Sequence, residues 1–429
     1  MSLRYIFRLI EAFFKRFKYV VIVGVIIGFI FFLVLNLLLP NIESTSRRIG
    51  VSGRYVTDQM PSDIAEKISE GLTKIDQNGN PSPAIAKSWE SPDGGKTWIF
   101  KIDKSKKWQD GKNIKSSDIS YKFSDATSEI VDDETIKYKL NNQFSAFPVI
   151  VSKPLFKNGL VGVGGWKVNK VNLSGGYIQK LEIKDYNQNK IIYKFYPSDE
   201  RLKLAFKLGE IDEIYSLQDA EEFKNWKTVF INSDTSYNNF VGLFFNTEDE
   251  NLKNKDVRQS LAYAINKNDF DGQRATGPIS PLSWAFNPQV KPYNFDLKKA
   301  SDVKDLKLTI STLPNLIKTA EKIKSDFEKV GIVTDIQAVS DIPSNYQLFL
   351  ATVDIPKDPD QYSLWHSTQT ESNISRFKNA RIDKLLEDGR TELDQEIRKK
   401  IYLDFQRFIV EDAPAVFLYH PNFYSIIRK

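Results

Sequence analysis

The stretch DIPKDPDQYSLWHST runs from Asp354 to Thr368. It gathers three carboxylates (Asp354, Asp358, Asp360), Tyr362, Trp365 and His366, one of only two histidines in the 429-residue chain. Carboxylates and an imidazole in such proximity could bind a metal, perform acid–base chemistry, or line a pocket for an uncharged solute. The spacing disfavours a metal. Pro356 and Pro359 make the segment a loop, so it cannot present ligands one helical turn apart, and no calcium-loop spacing is present. A carboxylate pair of the glycosidase kind needs partners across a cleft, and nothing in the sequence selects such a pair.

The other candidates for chemistry fail at defining positions. A Ser–His–Asp triad would have to use His366 or His420, and no G-x-S-x-G elbow presents a serine. DGGKT (93–97) resembles the end of a phosphate loop, but Glu90 stands where its first glycine is required. It reads as a polar turn before a strand. GLVGVGGW (159–166) misses the dinucleotide pattern because Lys167 occupies the last glycine position. These glycines read instead as a bend or a close approach of backbone. The absence of cysteine excludes disulfides, thiol catalysis and Cys-ligated metal. No catalytic residue, metal ligand or cofactor is expected.

The net charge of +5 does not mark a nucleic-acid binder, because of where it lies. Arg4, Arg8, Lys15, Arg16 and Lys18 against Glu11 place four of those charges before residue 41. The rest is nearly neutral and has no basic stripe to meet a phosphate backbone. The basic cluster precedes YVVIVGVIIGFIFFLVLNLLLP, Tyr19–Pro40, apolar apart from Asn36. At about 1.5 Å per residue this run matches a hydrocarbon core of about 30 Å. Its flank predicts a cytoplasmic N-terminus (1–18), a single-pass anchor (19–40) and the remainder outside the cell membrane. A cleaved signal peptide would want a shorter apolar run and a small-residue cleavage site, which LNLLLPNIE does not offer.

After a polar linker at 41–48 the chain reads as mixed α/β. Ile64, Ile68 and Leu72 share one face of a helix expected over 61–75; Trp98, Phe100 and Ile102 alternate as in a strand over 96–103. Val257, Leu261, Ala264 and Ile265 line a helix within 256–270. Residues 306–339 read as strand, helix and strand, with Gly331 as the helix stop, which predicts a parallel crossover unit. Two helices are expected at 380–390 and 392–411, with Leu393, Ile397, Ile401, Phe405 and Phe408 inward in the second. At this size the part beyond the anchor should be bilobal.

Several of these segments, in order, resemble the extracytoplasmic solute-binding proteins of ABC importers, in particular the peptide-binding family of oligopeptide- and dipeptide-binding proteins. The blocks are SEGLTKIDQNGNPSPAIAKSWESPDGGKTWIFKIDKSKKWQDGK (69–112), KLGEIDEI (207–214), FFNTEDENLKNKDVRQSLAYAINKNDF (244–270), and DPDQYSLWHST with NARIDKLLEDGR and APAVFLYHP toward the C-terminus. Together they cover about residues 50–421. The chain departs from the family in replacing the lipid-anchoring Cys by an apolar span and in having GVGGW (162–166) for the G-T-G-P motif. It is also shorter between the first two blocks and ends soon after FLYHP, which puts the shape of the cavity in question.

The resemblance implies a periplasmic-binding-protein-like fold of two α/β lobes closing on a ligand. Lobe 1 would comprise 47–239 plus 413–429 and lobe 2 residues 240–412, with crossing strands at 241–246 and 413–419. It further implies that Asp354 holds a peptide α-ammonium. Trp365, Tyr362 and Trp284 would serve as pocket walls, and Asn373 and Asn246 as polar contacts. Against these stand the plainer readings of Trp365 as core, of Asp358 as a turn cap, and of Trp89, Trp98 and Trp108 as structural. The expected partners are a peptide or other small solute, ABC permease subunits and the cytoplasmic membrane, with the protein monomeric and without nucleic acid. A sugar, an opine-like compound or a nickel chelate would fit the same motifs. A sensor or scaffold without transport, and a hydrolase using Asp354 or Asp360, are the readings from other classes.

Overall fold

The computed structural model describes residues 13, 15–20, 22–31, 46–300, 303 and 305–429. Residues 15–20 and 22–31 are helical, with apolar side chains such as Val25 and Phe31 exposed. The expected span Tyr19–Pro40 lies partly outside the described residues, at 21 and 32–40, and among the described residues no helix is long and apolar enough to cross a membrane. The expected linker 41–48 lies outside them up to residue 45, and its last three residues already belong to the first strand.

Strand β1 (Ser46–Ser52) leads to helix α1 (Ser62–Ile68). The helix ends at Ile68, well before the expected 75: Ser69 is already extended, with φ −148°, and two residues on, Gly71 lies so close to the backbone of Val151 and Ser152 that a Cβ there would overlap it. There follows an inserted subdomain: β2 (Thr73–Ile75), β3 (Pro81–Pro83), β4 (Ala86–Glu90), β5 (Thr97–Ile102), β6 (Ala126–Ile130), β7 (Thr135–Leu140) and the single turn α2 (Phe147–Ile150). β2 and β3 pair with each other, and the rest form a four-stranded sheet in the order β4-β5-β7-β6. The period of two seen around Trp98 is explained by burial: Trp98, Phe100 and Ile102 face a core shared with Trp108, Tyr138 and Phe147. The chain length between the first two motif blocks is thus enough for a subdomain with its own core.

Lobe 1 continues with β8 (Trp166–Ser174), β9 (Tyr177–Asp185), β10 (Lys190–Tyr196), α3 (Asp199–Lys207), β11 (Glu213–Leu217) and β12 (Val229–Thr235). β1 lies between β10 and β11 and is parallel to both. Two glycines of GLVGVGGW, Gly162 and Gly164, serve close approach: a Cβ on Gly162 would overlap the carbonyl oxygen of Ile68, and the Gly164 amide donates to that carbonyl at 2.9 Å.

Lobe 2 holds β13 (Asn239–Phe245), α4 (Lys255–Ala264), β14 (Gly272–Arg274), β15 (Lys307–Thr312), α5 (Ile317–Glu328), β16 (Val333–Ala338), β17 (Leu348–Asp354), the one-turn α6 (Tyr362–Trp365), α7 (Ala380–Thr391) and α8 (Gln395–Asp412). The crossover expected at 306–339 is present, with β15 parallel to β16 and Gly331 at φ 82° ending the connection after α5. α8 begins after the expected 392 because the Asp394 side chain caps it, accepting the Ile397 amide at 3.0 Å. Leu393 and Ile397, expected inward, are 43 % and 48 % exposed.

The last strand, β18 (Ala415–Arg428), joins the lobes. Its first half pairs with β13 and its second half with β12 and β11, so among the described residues one twelve-stranded sheet runs β16-β15-β17-β13-β18-β11-β1-β10-β9-β8, with β12 and β14 also paired to β18 outside that path. The exchange of partners falls near Thr235–Asn239 and Tyr419–Asn422. Two antiparallel chains therefore cross between lobes that carry separate hydrophobic cores.

Candidate functional site

Both lobes turn the carboxyl ends of parallel strands toward the gap between them, the usual place for a ligand crevice in α/β sheets. On the lobe 1 side, the ends of β1 and β11 (Ser52, Tyr215) line a cavity of about 480 Å³ with Tyr55, Asp63 and Phe423. Ser62 borders this cavity and a second one of about 490 Å³, so α1 forms the partition between them. Ser62 and Glu66, one helical turn apart, face the second cavity while Ile64 and Ile68 enter the core.

The second cavity lies between the lobes. Lobe 1 contributes Phe144, Ala146, Val149, Ile150 and Pro154 from around α2; lobe 2 contributes Pro356, Lys357, Asp358 and Asp360 after β17, then Ser363 and Arg390. Its volume falls within the ~300–1,000 Å³ typical of small-ligand sites. The walls meet at the rim. Lys357 pairs with Glu66 at 2.9 Å. The Arg390 carbonyl, unpartnered within the last turn of α7, accepts both the amide and the hydroxyl of Ser145 at 2.9 Å. The Arg390 guanidinium lies between two rings, 4.8 Å from the centroid of Phe144 and 4.6 Å from that of Tyr362.

The chemistry-bearing residues of 354–368 point in different directions. Asp358 is committed to Arg398 in a bidentate pair at 2.6 and 3.1 Å, with both side chains less than a tenth exposed, and it also accepts the Asp360 amide. Burial opposes the charge on Arg398, but Asp358 beside it holds its pKa above the ordinary guanidinium value. Asp360 faces the cavity with less support: its carboxylate accepts the Tyr362 amide at 3.0 Å and lies 3.8 Å from Arg390. Burial pushes its pKa above the usual carboxylate range, and Arg390 offsets this only in part. His366 is buried inside lobe 2, with Nδ1 2.8 Å from the Thr368 hydroxyl and its ring stacked on Tyr362. Among the described residues no cluster of three or more His, Asp or Glu could hold a metal ion.

The residues implied by the sequence separate into two groups. Asp354 ends β17 opposite Asn239, exposed, and accepts a hydrogen bond from the Asn239 amide beside the crossing chains. Tyr362 stands behind Arg390 at the cavity edge. Trp284 is half-buried under Arg398, and a Cβ on Gly79 of the subdomain would sit 3.6 Å from its ring. The other three are interior. Trp365 is 1 % exposed, packed between Phe244 and Phe417 in the lobe 2 core, not in the cavity wall. Asn373 donates to the Phe377 carbonyl at 2.9 Å and Asn246 to the Tyr346 carbonyl at 2.8 Å, so both hold loops inside lobe 2. Glu66, Phe144, Val149, Ile150 and Arg390 carry no sequence signal of cavity lining, because they come from elements whose meeting depends on the fold.

Residues 80–373 match the family model described as bacterial extracellular solute-binding proteins, family 5 Middle. The chain belongs to that family. Among the relatives of this solute-binding protein, the oligopeptide-binding protein AppA of Bacillus subtilis is 25 % identical, over 86 % of this chain and 83 % of that protein. Of the solved structures, NikZ from Campylobacter jejuni in complex with Ni(L-His) superposes with a TM-score of 0.72 at 24 % identity, covering 90 % of this chain and 95 % of NikZ. AppA from Bacillus subtilis, in complex with a nonapeptide, gives 0.68 at 22 % identity with the same coverage. These likenesses establish the bilobal α/β periplasmic-binding fold. The relatives are solute-binding proteins, not enzymes.

Proposed function

We propose that this solute-binding protein captures a short peptide between its lobes by hinge closure and delivers it to the permease of an ABC importer, while the apolar segment 19–40 anchors it in the cytoplasmic membrane. The observation that carries the reading is the cavity of about 490 Å³ whose walls come from both lobes and whose rim is closed by contacts between them. A site built this way is complete only in the closed form, so ligand binding and closure are one event. The two crossing chains, with Asp354 beside them, supply the hinge. Asp354 is the carboxylate proposed to receive the peptide's α-ammonium, with Tyr362 and Trp284 flanking the cleft. The oligopeptide-binding name of AppA supports a peptide ligand. The basic N-terminal flank, the length of the apolar run and the exposed apolar side chains of residues 22–31 support the anchor.

The test is native mass spectrometry of the full-length chain purified in detergent. Mixed short peptides released from the protein support the proposal; a single sugar or metal chelate contradicts it. Asp354→Asn should weaken peptide binding about ten- to a hundredfold, as expected for loss of a charge-assisted hydrogen bond.

A further inference from the structure

The lobe 1 wall of the inter-lobe cavity comes from two sources of different character. α1 contributes the polar Ser62 and Glu66, whereas the inserted subdomain contributes an apolar surface of Phe144, Ala146, Val149 and Ile150. Ile150 is 44 % exposed, although its neighbours Phe147, Val149 and Val151 are buried. A branched aliphatic side chain open to a cleft is apolar surface that a ligand can cover. The charges on the cavity are unevenly matched. Glu66 is paired with Lys357 and Asp358 with Arg398. Asp360 keeps one amide bond and a guanidinium at 3.8 Å, and Lys153 at the rim is exposed to water.

We infer that the inserted subdomain is the specificity element of this binding protein: α2 and the turn before it form a pocket for one large aliphatic or aromatic side chain of the bound peptide. This rests on the peptide-binding reading above. The subdomain, built on a sheet and core of its own, then has a role beyond packing. It meets the α7–α8 corner of lobe 2 through Ser145 and Phe144, and it presents α2 to the ligand as the lobes close.

The experiment is calorimetric titration of the full-length chain in detergent with tripeptides of alanine. Leu, Phe, Ser or Glu replaces Ala at each position in turn. At one position Leu and Phe should bind about 10- to 100-fold tighter than Ser or Glu, the range expected for burying a large apolar side chain. Ile150→Ser, at an exposed position that should not disturb folding, should reduce that preference to a few-fold, and Ile150→Val should retain most of it. Equal affinities for Leu, Phe and Ser at every position, a preference for Glu, or a Leu preference untouched by Ile150→Ser would overturn the inference while leaving peptide binding standing. Failure of every tripeptide to bind would overturn both.

Discussion

Removing the carboxylate of Asp358 should cost lobe 2 about 3–5 kcal/mol, the penalty for stranding a buried charge. The Asp358 and Arg398 side chains are 7 % and 8 % exposed, and the pair is bidentate. In Asp358→Ala the guanidinium keeps its charge but retains only the Gly389 carbonyl at 2.8 Å and the Tyr402 hydroxyl at 3.4 Å, under the rings of Trp284 and Tyr402. Replacing both partners by apolar groups, as in Asp358→Leu with Arg398→Met, removes the stranded charge along with the pair. The double variant should therefore be more stable than Asp358→Ala, with a coupling of about 1–3 kcal/mol between the sites. Equilibrium urea unfolding, read by hydrogen exchange of the α7 and α8 amides, isolates lobe 2 from lobe 1. Because Asp358 also accepts the Asp360 amide and pins the loop that walls the cavity, ligand affinity should fall together with stability. A loss below about 1 kcal/mol for Asp358→Ala, or a double variant that loses the sum of Asp358→Leu and Arg398→Met measured singly, would show that no stranded charge is involved.

Asp360→Asn should raise thermal stability at neutral pH, since burial disfavours the wild-type charge and the amide oxygen can still accept from Tyr362. The folded pKa is raised, so wild-type stability should fall as pH rises above the unfolded value of about 3.9, and the advantage of the variant should vanish toward acid; melting curves of both proteins across that range check it. His420, on β18 at the crossing, has its pKa lowered by burial, partly offset by its hydrogen bond to the Asn239 carbonyl. Its contribution is complete above about pH 6.5 and is lost as pH falls from there through the depressed folded value, so the wild type should lose stability in that window relative to His420→Gln. Gly162→Ala should destabilise the seam between α1 and the subdomain by about 1–3 kcal/mol, because the new Cβ meets the Ile68 carbonyl, and a thermal melt will show it.

The sequence was most informative where a local rule decides the outcome. The crossover at β15–β16, the alternation of Trp98, Phe100 and Ile102, and the close-approach glycines of 159–166 all follow from periodicity or from the lack of a Cβ. The ordered motifs led to the correct family and fold. Individual side chains of the cleft were less legible. Motif carry-over marks a loop but not which of its residues turn inward: α6 is a single turn, so Tyr362 stays at the cavity edge while Trp365 enters the core. Asn246 and Asn373 look like ligand contacts by residue type, yet buried backbone carbonyls claim their amides. The rim contact between Ser145 and Arg390 joins residues 245 apart, and no local pattern encodes it.

Hinge closure as proposed encloses the ligand with both lobes at once. Hydrogen–deuterium exchange of the full-length chain, with and without a bound peptide, tests it most directly. Enclosure by both lobes requires simultaneous protection of α1 and residues 144–154 on lobe 1, and of residues 355–363 and the end of α7 on lobe 2. Protection confined to one lobe, or to neither, would contradict it.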